Sequence, residues 1–321
     1  MQALFISSTR LGDAILTSGA LAWVLRRAPD VRVTVACGPV AAPLFDAVPG
    51  VGRVIAMRKG PWQAQWRMLW RETAGTRWDL VVDLRGSMFA WTVRAGERRV
   101  FRTPWGGGRK GGHRVDQIRT GLRLDGDTEP RLWIAEADSR RAARILGDGR
   151  DPVLAVAPTA NWPPKAWPAE RFVEAIAALT GPGGALPGAR VLVAGGPGER
   201  ELAAPVLEAV PAGRRIDLVG TEPLMTLAAC LGRCRLAIAN DSGLMHLAAA
   251  AGSPTLGLFG PSDAKHYAPR GPLTEWVRAD EPAAALLSRS GQVDDAPGAL
   301  MTGLPVARVV DAAEGLLART D

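Results

Sequence analysis

Cysteine is scarce in this chain of 321 residues, which contains only three. Three cysteines are too few for a disulfide framework. Cys230 and Cys234 lie one helical turn apart in the segment CLGRC, and this spacing would hold a metal only if further ligands came from elsewhere in the chain. The pattern therefore favours two small buried residues over a metal site.

Long apolar runs are also absent. No uninterrupted apolar stretch reaches the roughly 20 residues that a membrane-spanning helix needs. Arg10 and Asp13 interrupt the first apolar run, in MQALFISSTRLGDAIL, and this segment lacks the basic leader of a secretory signal peptide. We therefore expect a cytoplasmic protein.

Acidic residues are outnumbered by basic ones, with 32 Asp and Glu against 39 Lys and Arg, so the formal net charge is +7. Such a charge favours anionic partners, namely nucleic acid, an anionic membrane or a phosphorylated substrate. The segment from Arg94 to Arg114 concentrates arginines in a glycine-rich loop, but no recognised nucleic-acid-binding motif accompanies it. Nucleic-acid binding would rest on charge alone, and we expect no nucleic-acid partner.

The dominant feature of the sequence is a repeated alternation of short apolar runs with helical stretches. The runs of the first half are QALFIS, VRVTVAC, RVIAM, DLVVDL and RRVF; those of the second half are VLAVAP, ARVLVAGG, IDLVG, CRLAIAN and PTLGLFG. Continuous apolar strands joined by helical crossovers predict parallel sheets that are covered on both faces. Because the pattern occurs twice, we predict an α/β protein with two doubly wound, Rossmann-like domains.

A helical segment followed by a linker separates the two halves. EADSRRAARIL predicts the helix, and the Gly, Asp and Pro residues of GDGRDP predict the linker, so we place the domain boundary near Gly147. The predicted domains are therefore residues 1–147 and 148–321. The last helix is expected at about 305–319, in VARVVDAAEGLLART, and we expect it to pack back on the first domain.

Three polar loops follow predicted strands, at the edge where open parallel sheets bind ligands. SSTRLGD places Asp13 at a helix start, either as a helix cap or as a carboxylate that faces a ligand. PTANWPPKAWP holds Lys165 on a proline-stiffened loop, where it is either a phosphate ligand or a solvated surface lysine. AGGPGERE matches neither the dinucleotide-binding nor the P-loop pattern, and is weak support for nucleotide binding.

The segment RLAIANDSGLMHLAAAAG combines a buried strand, a polar turn and an alanine-rich helix. The free N–H groups and the dipole at such a helix start suit a phosphate. Ordinary helix capping explains Asp241 and Ser242 equally well, and a lone helical histidine such as His246 is more often structural. The convergence of these residues with Gly243 on one strand end favours a ligand site.

Several segments together resemble the family-9 glycosyltransferases, whose best-known members are the ADP-heptose:lipopolysaccharide heptosyltransferases. In chain order they are ISSTRLGDAILTSGAL, PTANWPPKAWPAERF, VLVAGGPGERE, ANDSGLMHLAAAAGSPTLGLFGPSD and ALMTGLPVARVVDAAEGLL. The resemblance extends from about Leu4 to about Leu317 and so covers nearly the whole chain. It implies a GT-B fold, with two Rossmann-like domains facing a cleft, an acceptor on the N-terminal domain and a nucleotide-sugar on the C-terminal one.

The resemblance also implies roles for individual residues. Asp13 matches the base of a direct displacement that inverts the anomeric carbon, and Asp241 matches an aspartate at the sugar end of the site. Lys165 matches a lysine that contacts the donor phosphate, and the segment that matches the pyrophosphate cradle contains Ser242, Gly243, Leu244 and His246. These groups would take the part of a divalent metal, so we expect no obligatory metal or other cofactor.

The resemblance is weaker for the nucleoside and for the acceptor. Many relatives carry an acidic residue that touches the ribose, where this chain has Met225 with Glu222 close by, and both are candidates for nucleoside binding. Candidates for acceptor binding are His113 and Arg114, in the segment HRVDQ, and Arg10.

The leading hypothesis is an inverting transferase that adds heptose to a lipopolysaccharide core precursor, an anionic glycolipid, while in peripheral contact with the inner face of the inner membrane. One alternative keeps the chemistry but uses another nucleotide-sugar or envelope glycan. Another is a non-catalytic sugar-nucleotide-binding protein, against which the joint presence of Asp13, Lys165 and His246 argues. A dinucleotide-dependent oxidoreductase would need a glycine pattern after the first strand that SSTRLGD lacks.

Overall fold

The computed structural model describes residues 1–101, 112–147, 151–289 and 298–320. It divides into two compact units, Met1–Trp133 and Ile134–Asp321. Each unit contains one sheet whose paired strands all run parallel. The predicted α/β class, with a parallel sheet in each half of the chain, is confirmed.

The described residues of the first unit form a sheet of five strands in the order β3-β2-β1-β4-β5. The strands are β1 Gln2–Ile6, β2 Arg32–Cys37, β3 Val51–Ala56, β4 Trp78–Asp83 and β5 Ala95–Val100. The α-helices are α1 Leu11–Leu16, α2 Ser18–Leu25, α3 Ala64–Thr73 and α4 Arg114–Leu122, and the 3-10 segments are Pro39–Phe45, Pro61–Gln63 and Met88–Trp91. The central strands β1 and β4 are almost wholly buried, which is why they are the most apolar runs of this half.

In the second unit, the part of the chain that the structure describes forms a sheet of six strands in the order β11-β10-β9-β6-β7-β8. The strands are β6 Val153–Ala157, β7 Arg190–Gly195, β8 Arg215–Val219, β9 Leu236–Asn240, β10 Thr255–Phe259 and β11 Thr274–Arg278. The helices are α5 Glu136–Leu146, α6 Ala169–Thr180, α7 Arg200–Ala209, α8 Leu224–Leu231, α9 Gly243–Ala250, α10 Ala264–Tyr267, α11 Ala283–Arg289 and α12 Val306–Leu317, with a 3-10 segment at Pro163–Lys165.

The boundary between the units precedes α5, whereas the sequence predicts one near Gly147, after this helix. Tertiary contacts explain the difference, because α5 packs on α8 of the second unit. Asp138 accepts a hydrogen bond of 2.6 Å from the hydroxyl of Thr226, and Arg141 forms an ion pair with Glu222. The helix therefore belongs to the second unit, although a linker follows it in the sequence.

The last helix, α12, packs on α6 and on strands β9, β10 and β11 of its own unit. Its buried residues Val309, Ala313 and Leu316 join the same apolar core as Leu256 and Leu258 of β10. The structure thus places this helix on the core of its own unit, and packing back on the first domain stays a prediction. The apolar stripe predicted from the sequence is real, but the core of the second unit covers it.

The cysteines of the second unit are buried, as the sequence indicates, and the Cys234 thiol donates a hydrogen bond of 3.3 Å to the carbonyl of Cys230. Burial raises the pKa of Cys230 to about 11, so this thiol stays protonated at neutral pH. Among the described residues, no helix is both long enough and apolar enough to span a membrane. The centre of the arginine-rich segment predicted as an anion-attracting loop, residues 102–111, lies outside the described residues.

Candidate functional site

The sheet of the second unit reverses its strand order between β6 and β9. From β6 the chain adds β7 and β8 on one side, then crosses to β9 on the other side and adds β10 and β11. The crossovers diverge at this point, so the loops after β6 and β9 leave a crevice at the carboxyl edge of the sheet. The two most specific polar motifs of the sequence are these loops.

Lys165 and Asp241 meet across this crevice. Lys165 ends the short 3-10 segment after β6, and Asp241 directly follows β9. Lys165 Nζ lies 3.3 Å from Asp241 Oδ2, and the two side chains are only 20% and 15% exposed. The ammonium is therefore held at the switch point of the sheet rather than extended into solvent, as a surface lysine would be.

Asn240, the last residue of β9, fastens the Lys165 loop to the sheet. This fully buried side chain accepts a hydrogen bond of 2.9 Å from the backbone N–H of Trp167 through Oδ1. The Trp167 indole is also buried, and its Nε1 donates to the carbonyl of Leu304 at 2.9 Å. The loop is thus anchored on both sides of Trp167, and sequence reasoning had not assigned Asn240 a role.

Ser242 is the N-cap residue of α9, but its side chain does not cap the helix. Its hydroxyl oxygen is buried and has no hydrogen-bond partner among the described residues. A buried hydroxyl without a partner costs about 1–3 kcal/mol, so capping does not explain this serine. The hydroxyl and the free N–H groups at the start of α9 are instead available to an anionic ligand.

The other residues of this segment lie on the first turn of α9, at the same edge of the sheet. Gly243 begins the helix and is half-buried, while Leu244 and His246 are 9% and 5% exposed. The structure places Asp241, Ser242 and the start of α9 at the end of β9, and Lys165 reaches Asp241 from the loop after β6. Together they combine one cation, one hydroxyl donor and backbone N–H groups, which suits a phosphate-bearing ligand.

The glycine-rich turn after β7 is closed by its own glutamate. Glu199 Oε2 accepts hydrogen bonds from the N–H of Gly196 at 2.7 Å and from the hydroxyl of Thr159 at 2.5 Å. The N–H group that a phosphate would use in a nucleotide-binding turn is therefore already satisfied. This contact agrees with the absence of a dinucleotide-binding pattern from the AGGPGERE segment.

The nucleoside candidates are partly occupied by structural contacts. Glu222 follows β8, and both of its carboxylate oxygens accept hydrogen bonds from Arg141, one of them at 3.0 Å. These hydrogen bonds lower the pKa of Glu222. Met225 lies on α8 and is 6% exposed. A ribose hydroxyl at Glu222 would therefore share the carboxylate with Arg141.

The sheet of the first unit has its own switch point, between β1 and β4. Arg10 is the N-cap residue of α1, so Asp13, the third residue of this helix, is not the cap. The Asp13 side chain is half-buried in the first turn. The loop before it packs tightly on β2, because the N–H of Gly38 donates to the carbonyl of Ser8 at 3.2 Å. A Cβ atom at Gly38 would lie only 2.5 Å from the carbonyl oxygen of Thr9.

Arg85 is a candidate that the sequence reasoning missed, at the same edge of the first unit. Asp83, the last residue of β4, is fully buried and accepts hydrogen bonds from the N–H groups of Arg85 and Ser87, both at 2.9 Å. The Arg85 guanidinium lies 4.7 Å from the ring centroid of Trp66, and its buried Nη1 has no hydrogen-bond partner among the described residues. Burial lowers the pKa of Arg85, while the nearby Asp83 opposes this. A guanidinium in this state can bind a carboxylate or phosphate.

The acceptor candidates of the HRVDQ segment have structural roles in α4. His113 is the N-cap residue, and its Nδ1 accepts a hydrogen bond of 3.2 Å from the N–H of Val115. Arg114 places its guanidinium 4.4 Å from the ring centroid of Phe101. Arg10 is exposed at the start of α1. Of the three, Arg10 lies nearest in sequence to Asp13.

Comparison with known proteins identifies the family. A family model described as glycosyltransferase family 9 (heptosyltransferase) matches residues 116–295, which is more than half of the chain. Lipopolysaccharide heptosyltransferase 1 of Pseudomonas aeruginosa is 27% identical over 324 residues, and the match covers 90% of this chain and 87% of that protein.

Two solved structures show the same fold. A family 9 glycosyl transferase from Veillonella parvula has a TM-score of 0.81 at 23% identity, with 99% of this chain and 97% of that chain covered. The ADP-heptose lipopolysaccharide heptosyltransferase II of E. coli has a TM-score of 0.75 at 20% identity, with 100% and 99% covered. The fold is therefore of the GT-B type, as the resemblance implies. With the family model matching more than half of its length, the chain belongs to glycosyltransferase family 9 and is a glycosyltransferase.

Proposed function

We propose that this protein transfers a heptose from ADP-heptose to a lipopolysaccharide core precursor. The observation that carries the proposal is the Lys165–Asp241 pair at the switch point of the second sheet, next to the Ser242 hydroxyl, which has no hydrogen-bond partner in the part of the chain that the structure describes. Family 9 enzymes use nucleotide-sugar donors. The choice of heptose and of ADP is supported by the names of the relatives from Pseudomonas aeruginosa and E. coli.

In this proposal the second unit binds the donor. Lys165 and the N–H groups at the start of α9 hold the diphosphate, the Ser242 hydroxyl donates to a phosphate oxygen, and Leu244 and His246 complete the cradle. Asp241 contacts the sugar. These groups stabilise the charge that builds on the departing diphosphate, so we propose that the reaction requires neither a metal ion nor another cofactor.

The first unit is proposed to bind the acceptor and to supply the base. Asp13 takes the proton of the acceptor hydroxyl while the hydroxyl oxygen bonds to the anomeric carbon. The bond from that carbon to the diphosphate breaks, its electrons leave with ADP, and the configuration at the carbon inverts. A carboxylate of ordinary basicity suffices, because the hydroxyl becomes acidic only in the transition state.

The setting that fits these substrates is the cytoplasm, at the inner face of the inner membrane. The nucleotide-sugar is a soluble molecule, and the acceptor is an anionic lipid. The net charge of +7 supports a peripheral attachment that weakens as salt rises.

Calorimetric titration with ADP, UDP and GDP, in buffer without added metal, tests the donor assignment. We expect selective binding of ADP, and tighter binding of ADP-heptose than of ADP. Preference for UDP or GDP would replace the donor but keep the transferase. Absence of binding by all three nucleotides would contradict the proposed site.

A further inference from the structure

Exposed tryptophans cluster on the first unit. Among the described residues, the exposed large apolar side chains include Trp62, Trp70, Met88 and Trp91, with exposed fractions of 88%, 50%, 79% and 53%. Two of them lie in or just before α3, and the other two begin and end the 3-10 segment Met88–Trp91. Contiguous apolar side chains left in water typically mark an interaction site.

Direct contacts join these two segments into one surface. Trp66 of α3 stacks on Phe89, with ring centroids 5.6 Å apart and an interplanar angle of 28°. One turn later, Trp70 Nε1 donates to the carbonyl of Thr92 at 3.4 Å. The helix and the 3-10 segment therefore lie side by side. We name the surface formed by Trp62, Trp70, Met88 and Trp91 the tryptophan face.

Basic residues accompany the tryptophan face. Glu72, the acidic residue of α3, pairs with Arg53. Exposed basic residues in and beside the two segments are Arg58, Lys59, Arg67, Arg71 and Arg94. None of these five forms an ion pair with a residue that the structure describes. Arg67 precedes Trp70 by three residues in α3 and Arg71 follows Arg67 by four, so Arg67 is a neighbour of both on the helix surface. The surface is therefore aromatic and strongly basic at once.

The backbone at Trp62 is strained. Trp62 and Gln63 have φ angles of 52° and 56°, in the left-handed region that bulky residues seldom adopt. The indole is almost fully exposed, so packing inside the fold does not compensate for this conformation. Strain held at an exposed side chain is typical of a site selected for recognition.

We propose that the tryptophan face docks the protein on an anionic lipid bilayer. Indole rings prefer the headgroup level of a membrane, and basic residues are attracted by anionic lipid headgroups. Protein interfaces are also enriched in Trp, Met and Arg, so the choice of a lipid surface rests on the number of basic residues without an acidic partner among the described residues and on the lipid-linked acceptor of the proposed function. This proposal rests on the proposed function in one respect, which is that the acceptor is linked to a lipid. It adds which surface of the protein attaches and that the attached lipids are anionic.

The position of the tryptophan face agrees with this role. The segment Pro61–Gln63 follows β3, and Met88–Trp91 follows β4. Asp13 follows β1, which lies between β2 and β4 in the parallel sheet. All three segments therefore start at the carboxyl edge of one sheet. A bilayer held at this edge would present its headgroups on the side of the proposed base.

Vesicle co-sedimentation with the full chain tests the proposal. We expect at least about tenfold tighter binding to vesicles that contain phosphatidylglycerol than to pure phosphatidylcholine vesicles. The double variant Trp62→Asn/Met88→Ser removes two side chains that contact little within the fold, and asparagine tolerates the left-handed backbone. It should bind the anionic vesicles at least about tenfold more weakly.

A matched control is Leu202→Ser/Leu287→Ser, which removes two exposed apolar side chains of the second unit. It should bind like the wild type. Arg67→Gln/Arg71→Gln should lose about fivefold per cation, and Arg233→Gln should lose nothing comparable. The proposal would be overturned if Trp62→Asn/Met88→Ser and Arg67→Gln/Arg71→Gln both bound the anionic vesicles as tightly as the wild type. Equal binding of the wild type to both kinds of vesicle would also overturn it.

A lipid-free titration with ADP separates this inference from the proposed function. Wild-type protein that binds ADP but neither kind of vesicle would overturn the docking proposal alone. Variants of the tryptophan face that bind ADP normally but lose vesicle binding would support it, because they show an intact second unit.

Discussion

The ammonium of Lys165 lies 3.3 Å from the carboxylate of Asp241, although the two residues are 76 positions apart in the chain. The sheet topology creates this pair, because β6 and β9 are neighbours whose following loops diverge. A diphosphate that enters the crevice can bind the ammonium with little movement of the lysine. The pair therefore marks the proposed donor site.

Replacing the lysine tests this role. Lys165→Ala should weaken nucleoside-diphosphate binding at least about tenfold, since a charge-assisted hydrogen bond contributes about 1.5–3 kcal/mol. Calorimetry measures the change. Arg233→Ala removes an exposed cation of the same unit and should leave the affinity unchanged. Equal affinities of the Lys165→Ala variant and the wild type would refute the phosphate assignment.

Ser242 should contribute to binding but not to stability. Ser242→Ala removes a buried hydroxyl that has no partner among the described residues, so the unfolding free energy should equal that of the wild type or exceed it by up to about 3 kcal/mol. Asp263→Ala is the control, because Asp263 caps α10 by accepting from the N–H of Lys265 at 3.1 Å, and its loss should cost about 1 kcal/mol.

The same Ser242→Ala variant should bind ADP about fivefold to tenfold more weakly, the loss of one hydrogen bond. Urea unfolding and calorimetry measure the two effects. A large loss of stability with unchanged affinity would make Ser242 a structural residue.

Asn240 should act as a positioning residue. Asn240→Ala leaves the buried N–H of Trp167 without an acceptor, which should cost about 1–3 kcal/mol of stability and release the Lys165 loop. We expect weaker ADP binding as well, measured by calorimetry at a temperature where the variant is folded. Thr180→Ala removes a buried hydroxyl that bonds within α6, and it should lower stability without weakening ADP binding. Normal ADP affinity of Asn240→Ala would contradict the positioning role.

Asp13 should affect transfer rather than donor binding. Asp13→Asn keeps the size of the side chain but removes the base, and it should lower the rate of sugar transfer at least tenfold, equal to more than about 1.4 kcal/mol of barrier. Rate assays with saturating donor measure this, and ADP titration should give the wild-type affinity. Asp30→Asn changes an exposed carboxylate and should be fully active. Full transfer by Asp13→Asn would remove this residue from the mechanism.

Cys37 should make stability depend on alkaline pH. Burial raises the pKa of this thiol from 9.0 to about 12, so above pH 9 the unfolded chain releases a proton that the folded protein retains. The thiol contribution is complete below that pH and is lost as pH rises toward the folded value, by about 1.4 kcal/mol per pH unit. Urea unfolding measures the unfolding free energy of the wild type and of Cys37→Ala at each pH. Above about pH 9 this free energy should fall more steeply with pH for the wild type than for the variant. The same pH dependence in both proteins would contradict the prediction.

Ten of the strands were readable from the sequence because they are short apolar runs between turns. The missed strand, β11 in the segment TEWVR, is half-buried throughout and lies at a sheet edge, so polar residues obscure its pattern. The sequence also does not indicate to which of the two units helix α5 belongs. This depends on contacts such as Arg141 with Glu222, which only the folded chain brings together.

The site was readable in its parts but not in its geometry. Lys165 and Asp241 each belong to a distinctive loop, yet only the strand order places them in contact. Arg85 and Asn240 gave no signal, because a turn arginine and a strand-end asparagine are common. Their proposed roles rest on a buried guanidinium nitrogen that has no hydrogen-bond partner among the described residues and on a buried hydrogen bond.

The most direct test of the central claim is transfer itself. The protein would be mixed with ADP-heptose and a heptose-free lipopolysaccharide core precursor, and the acceptor would be weighed by mass spectrometry while released ADP is measured. We predict that each acceptor gains one heptose as one ADP appears. An acceptor that stays unchanged with ADP-heptose, but gains a sugar from another nucleotide-sugar, would contradict the proposed donor.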